Sequence, residues 1–358
     1  MWSTCIRAAR TGLIILVITA LIFIPCDWLL KRTLPPVYQT GRYGWSPPAN
    51  ATVREAIQDT PGNFREIEVR YFEHGFKRWG DVATDKTKVL VVGDSFTHMQ
   101  WVSNGEEWYS WLEKEFPDVE LFVFGSGGFG TVQEYLVIDD FLDRIQPDLI
   151  LLQFCRNDFK NNLYHYDLAN YPHNNHGVRP YLEGDDIVWR LPLPFAGIRA
   201  SSFAADRLLA VYDALRLRHV QRNQAAYRRR NKERQEHLWK VFGDDAMAVT
   251  NKLFSRLKKR VGGIPVYVMA PDNSGETVSR NHGFPFISMA EINDWGIQHG
   301  RMVVIPNNGH WNRLGNRLVG ERLIEFLRPA LLQIRRDKNQ SARDRENVFR
   351  FSEKTISG

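Results

Sequence analysis

Four stretches of this chain carry residue types that acyl chemistry uses, and each follows a short apolar run. Ser95 stands in "TKVLVVGDSFTHMQW", the glycines of "GSGGFGTVQE" follow "VELFVFG", Asn157 stands in "QFCRNDFKNN", and His310 stands in "NNGHWNRLGN". A Gly-Asp-Ser triplet alone reads as a turn followed by a helix N-cap. Taken together the four supply a hydroxyl, an imidazole to accept its proton, and backbone and amide N–H donors for a developing oxyanion. Such a set works only if the fold brings it to one rim.

The elements that would do so are legible. The β-branched run Val89 to Val92 reads as a buried strand of a parallel sheet, which places Gly93, Asp94 and Ser95 at its carboxyl end, where open α/β sheets bind ligands. Further strands are expected at "VELFVFG", "DLILLQFC", "IPVYVMAPD" and "GRMVVIPNN", with helices at "NGEEWYSWLEKEFPD", "TVQEYLVIDDFLDRI" and "RLGNRLVGERLIEFLRPALLQI". Five strands alternating with helices predict an α/β, doubly wound fold with a five-stranded parallel sheet. The folded domain is expected over 65–335, opening with the edge-strand pattern "REIEVRYFEHG" and interrupted by a hairpin-bearing insertion over 161–199. Residues 32–64, rich in Pro and Gly, read as a stalk, and the charged residues 336–358 as a disordered tail.

Ahead of the domain, Arg7 and Arg10 precede an apolar run over 11–31 that reaches the ~20 residues a bilayer span needs. No small-x-small cleavage site follows, so the segment reads as an uncleaved signal anchor. Residues 1–10 would lie in the cytoplasm of a bacterium and the domain on the periplasmic or extracytoplasmic side of the inner membrane. Cysteines 5, 26 and 155 make neither a disulfide framework nor a zinc site, and no cofactor or metal is expected. A net charge of +6 with abundant acidic residues does not point to nucleic acid. The basic helix over 216–234, including Arg228 to Arg230, reads as a solvated face, with anionic lipid headgroups or an acidic glycan as the alternative contact. Nothing in the sequence sets an oligomeric state.

The blocks "GDSFT", "GSGGFGT", "CRND" and "NGHWNRLGN" resemble the first, second, third and fifth blocks of the SGNH or GDSL-type serine hydrolases, over roughly Lys88 to Ile334. The resemblance implies a flavodoxin-like three-layer sandwich with no metal. In it Ser95 is the nucleophile and His310 the base, and Ser95, Gly128 and Asn157 form the oxyanion hole. Asp94 is implied to brace the loop. The implied substrate is an acyl ester, with membrane-anchored relatives of this layout acting on O-acetyl groups of cell-envelope or exported polysaccharide. A sugar acceptor at the acyl-enzyme stage would make the same site an O-acetyltransferase.

One departure stands out. The family places an aspartate two or three residues before the histidine, where this chain has Asn307 and Asn308. The orienting residue is then one of these asparagines or a recruited carboxylate such as Asp272 in "VMAPDN"; otherwise the site is a Ser-His dyad, or a degenerate one in a noncatalytic glycan-binding or assembly subunit. His98 and Cys155 are read as structural, Trp101, Trp108 and Trp111 as core or groove wall, and Trp311 as core or a sugar-stacking face.

Overall fold

The structure is a computed structural model describing residues 2–33, 41–221 and 224–356, with side chains described except at 2–9, 16, 220–229, 342 and 344–356. Its strands are β1 (Thr52–Thr60), β2 (Asn63–Arg70), β3 (Thr87–Gly93), β4 (Val119–Gly125), β5 (Leu149–Gln153), β6 (Arg179–Glu183), β7 (Asp186–Arg190), β8 (Val266–Ala270) and β9 (Phe286–Ser288). The chain divides into two compact units. One gathers Trp45–Leu163, Pro180–Val188 and Asp244–Gly358, the other Met1–Gly44, Tyr164–Arg179 and Trp189–Gly243.

The larger unit holds a five-stranded parallel sheet in the order β4-β3-β5-β8-β9. In sequence terms this is the doubly wound order 2-1-3-4-5, which reverses direction between β3 and β5 and opens a crevice at their carboxyl ends. β3 is buried on both faces, as its unbroken apolar run requires. Val89 and Val91 pack into a layer with Trp108 and Leu112 of the helix Trp108–Glu115, Ile292 of Ala290–Gln298, and Leu323 and Leu327 of Arg313–Ile356. On another part of the sheet Phe124 meets Phe76 edge-on at 5.0 Å, and Phe76 meets Phe141 of the helix Thr131–Ile145 at 4.8 Å. β1 and β2 form a separate antiparallel hairpin, and β6 and β7 pair within the region expected as an insertion.

Three expectations are corrected. The fifth strand of the sheet is the short Phe286–Ser288 and not the segment "GRMVVIPNN". That segment turns back on itself instead: Ile305 N–H donates to His310 O at 2.8 Å and Asn312 N–H to Val303 O at 3.0 Å, so its pairing capacity is spent locally. The supposed stalk contributes β1 and Trp45 to the larger unit, while 34–40 lie outside the described residues. The supposed tail is helical as far as Ile356, because polar residues that are good helix formers continue the last helix and Lys338 Nζ reaches Asp148 Oδ2 at 2.8 Å.

A buried charge cluster underlies the sheet edge. Glu107 is fully buried and accepts from Gly105 N–H at 2.7 Å and Ser110 Oγ at 2.8 Å, while Arg78 Nη2 lies at 3.2 Å and Lys77 Nζ at 3.5 Å. Against the cost of desolvation, Arg78 and Lys77 hold its carboxyl below the ordinary range, and burial pulls the Lys77 ammonium down to about 8. Removing one partner leaves the others uncompensated, so Glu107→Ala is expected to cost roughly 3–5 kcal/mol, read as a lowered urea midpoint.

In the smaller unit the helix Trp2–Thr33 contains a 24-residue stretch, Arg10–Thr33, long and apolar enough to cross a membrane. At 1.5 Å per residue this is ~36 Å, against a hydrocarbon core of ~30 Å. Leu13, Ile18, Leu21 and Ile24 are exposed along it. The side chains of Arg228 and Arg229 lie outside the described residues.

Candidate active site

Ser95 opens the four-residue helix Ser95–His98 directly after β3, and Asp94 is its N-cap, accepting from Phe96 N–H at 3.0 Å. The turn is fixed from the neighbouring strand. Gln153, the buried last residue of β5, uses Oε1 to accept from Asp94 N–H and Thr97 Oγ, both at 3.1 Å. The Ser95 hydroxyl is thereby held, half-buried, at the switch point of the sheet.

His310 reaches it from the turn after Val303. The turn needs left-handed backbone at Asn307 (φ 59°) and Gly309 (φ 86°), residues suited to that conformation. Asn312 then caps the final helix by accepting from Gly315 N–H at 3.0 Å, and Asn316 Oδ1 accepts from Trp108 N–H at 3.0 Å. A Cβ at Gly315 would stand 2.1 Å from Val303 O, so only glycine lets this helix start so close to the turn. Thus "NGHWNRLGN" is as much a set of braces as a motif.

The result is a hydrogen bond of 2.7 Å between His310 Nε2 and Ser95 Oγ. On the other side of the ring, Nδ1 faces Oδ1 of the exposed Asn308. An acceptor there places the ring proton on Nδ1 and leaves Nε2 free to accept from the serine. Trp101 lies over the ring with centroids 4.0 Å apart, and Phe96 lies at 4.6 Å. This burial pushes the imidazole pKa down to about 4, so His310 is neutral at physiological pH. Trp101→Ala should let water in and raise that pKa toward the ordinary 6.5, a shift readable from the pH titration of the imidazole resonances.

The Gly127–Phe129 loop after β4 forms the facing wall. Gly128 is left-handed at φ 76°, which lets its backbone turn without steric cost. Asn161 Nδ2 donates to Gly128 O at 3.2 Å and Phe129 O at 3.1 Å, and Trp45 Nε1 donates to Gly127 O at 3.0 Å. Asn157 stands beside this loop, its Nδ2 donating to Asp94 Oδ2 and Phe129 O, each at 3.3 Å. These bonds are long, and both point to protein acceptors.

Of the residues singled out from sequence, Ser95, His310 and Asn308 are brought into one hydrogen-bonded chain, Asn157 stands beside Asp94, and Gly128 lies in the loop whose Phe129 O Asn157 contacts. Asn307 supplies the turn. Asp272 is otherwise engaged, its Oδ1 accepting from Ser274 N–H at 2.9 Å and Ser274 Oγ at 2.5 Å, which makes it a turn former. His98 is buried, Nε2 2.7 Å from the Tyr71 hydroxyl, and desolvation drives its pKa down to about 3. Trp311 is buried edge-on against Phe96 at 4.7 Å and offers no open stacking face. Burial pushes the Cys155 thiol well above its usual range, as suits a structural cysteine. Gln153, Asn161 and Trp45 were not anticipated. Gln153 carried a signal, a lone amide ending the apolar run "LILLQ". Among the described residues no cluster of His, Cys, Asp or Glu has the makeup of a metal site.

No family model matches the chain, and no curated protein does. Solved structures similar to it include a member of the lipolytic G-D-S-L family from Veillonella parvula, 13% identical, covering 66% of this chain and 96% of that one with a TM-score of 0.36. An acetyl xylan esterase is 14% identical over 67% of this chain and 99% of that one, TM-score 0.38. A two-domain esterase active on acetylated mannans is 14% identical over 69% of this chain and 50% of that one, TM-score 0.39. These overlaps are loose. The fold class stands on the strand order, and the chemistry on the distances within the site.

Proposed function

We propose that this protein is a serine-dependent ester hydrolase of the SGNH type, with Ser95 as nucleophile and His310 as general base. The observation that carries the reading is the 2.7 Å contact between Ser95 Oγ and His310 Nε2, with Asn308 behind the ring. Ser95 Oγ attacks the ester carbonyl and its proton passes to His310 Nε2. The carbonyl oxygen becomes an oxyanion facing the N–H groups of Ser95 and Gly128 and the Asn157 amide, one N–H of which must leave its 3.3 Å contact to take part. The imidazolium then protonates the leaving alcohol, and water attacks the acyl-enzyme with His310 again as base.

The substrate assigned is an acyl ester, an O-acetyl group, on a cell-envelope or exported carbohydrate. It is supported by the motif resemblance and by Trp101, whose half-buried ring beside His310 suits the apolar face of a sugar. The helix Arg10–Thr33 is assigned as a signal anchor holding the domain on the extracytoplasmic side. A fluorophosphonate probe should label Ser95 promptly, and acetate should be released from an acetylated polysaccharide. Absence of labelling defeats the enzyme reading. Transfer to an added unacetylated acceptor in place of acetate release would assign an O-acetyltransferase at the same site.

A further inference from the structure

The helix Phe203–Gln221, in the smaller unit, is folded inside out. Its buried residues are Asp206 and Asp213, held by Arg199: Arg199 Nη2 lies 2.6 Å from Asp213 Oδ2, Nη1 lies 3.9 Å from Asp206 Oδ1, and the Tyr171 hydroxyl donates to Asp213 Oδ1 at 2.6 Å. Its exposed face is apolar. Leu208, Val211, Tyr212 and Leu215 are 73%, 59%, 51% and 59% exposed, a level at which soluble helices carry charge. Their spacing of three, four and seven places them on one stripe opposite the two aspartates. Arg207, Arg216 and Arg218, all exposed, fall along the two borders of that stripe.

What covers such a face is indicated by where the helix begins. Asp27, the buried carboxylate of the membrane-length helix, accepts from Ala204 N–H at 2.8 Å, Phe203 N–H at 3.1 Å and Ser202 Oγ at 3.3 Å, and so caps the inside-out helix. Asp27 lies six residues before the end of the spanning stretch at Thr33, ~9 Å along the axis. Lys31 and Arg32, about one turn beyond Asp27, mark the headgroup level, so the second helix starts ~6 Å below it, within the ~5–10 Å to which interfacial helices sink their apolar face. An apolar stripe bordered by arginines and starting there has the make-up of an interfacial helix, its side chains entering the acyl boundary while the guanidinium groups reach the headgroups.

We propose that Phe203–Gln221 lies on the bilayer as a second membrane-contacting element, its apolar stripe in the lipid and its start fixed by Asp27. The proposal rests on the membrane reading of the N-terminal helix and is independent of the esterase chemistry.

The test uses the full chain with Cys5→Ser, Cys26→Ser and Cys155→Ala, reconstituted into vesicles of phosphatidylethanolamine and phosphatidylglycerol. A polarity-sensitive fluorophore is attached through Leu208→Cys or Val211→Cys, with Lys240→Cys as a reference on an exposed site. Flotation reports separately whether the chain is inserted. Blue-shifted emission at Leu208 and Val211, quenched by lipids labelled in the acyl chain, with neither effect at Lys240, is the result expected; two positions guard against one variant failing to fold. Emission at both positions like that at Lys240 overturns the proposal. So does a chain that does not float. Shielded labels that lipid does not quench, together with disulfide cross-linking between chains at Val211→Cys, would assign the face to a second copy and overturn it equally.

Discussion

Ser95→Ala is expected to lower turnover of a small aryl acetate by about 10⁶-fold, the scale on which removing a serine nucleophile acts when hydroxyl and imidazole work as a unit. The fold should be untouched. Ser95 is half-buried, and the turn that holds it is made by Gln153, by Asp94 as N-cap and by backbone bonds, so the serine hydroxyl bears no structural load beyond its contact with His310. Because the two side chains act together, His310→Ala added to Ser95→Ala should cost almost nothing more. Turnover in the variant close to that of the parent, with an unchanged circular dichroism spectrum, would remove the serine mechanism. A further large loss in the double variant would mean that His310 serves some other group.

The parts of this site that could be read from sequence are those carried by short-range chemistry. The strand ending at Gly93, the N-capping Asp94 and the helix Thr131–Ile145 follow from apolar periodicity and local hydrogen-bonding capacity. The segment "GRMVVIP" has the composition of a strand, but its backbone groups are taken up by the turn that presents His310, so it does not join the sheet. Three-residue Phe286–Ser288 is too short to rise above its surroundings and is a strand only because β8 pairs with it. The bracing amides show the same limit. Asn161 and Trp45 act on the Gly127–Phe129 loop from 33 and 82 residues away, and no periodicity encodes such a contact. The inside-out helix Phe203–Gln221 carries apolar residues on more than one side, Leu209 and Leu217 as well as Leu208 and Leu215, so only burial of its aspartates reveals which side faces in.

Replacing Asn308 should move the site in opposite directions according to what is put there. In a serine triad, exchange of aspartate for asparagine costs ~10⁴, mainly by admitting the wrong imidazole tautomer. Here Asn308 presents Oδ1 to Nδ1, so the useful tautomer is already held and only the negative charge is lacking. Asn308→Leu removes the acceptor and should lower kcat by about 10³–10⁴ with little change in KM. Asn308→Asp keeps the acceptor and adds charge. An opposite charge beside an imidazole favours its protonated form, so the His310 pKa should rise from about 4, by ~1–2 units because position 308 is solvent-exposed. Only the neutral ring can take the Ser95 proton. The acidic limb of kcat/KM therefore lies near pH 4 in the natural protein and moves up in Asn308→Asp, while at pH 8, above both values, a more basic ring and a stabilised imidazolium raise kcat by about tenfold. Asp272→Asn, which alters a carboxylate bound to Ser274, should leave both the rate and the limb in place. If Asp272→Asn lowers kcat a hundredfold and Asn308→Leu is silent, the orienting role belongs to Asp272.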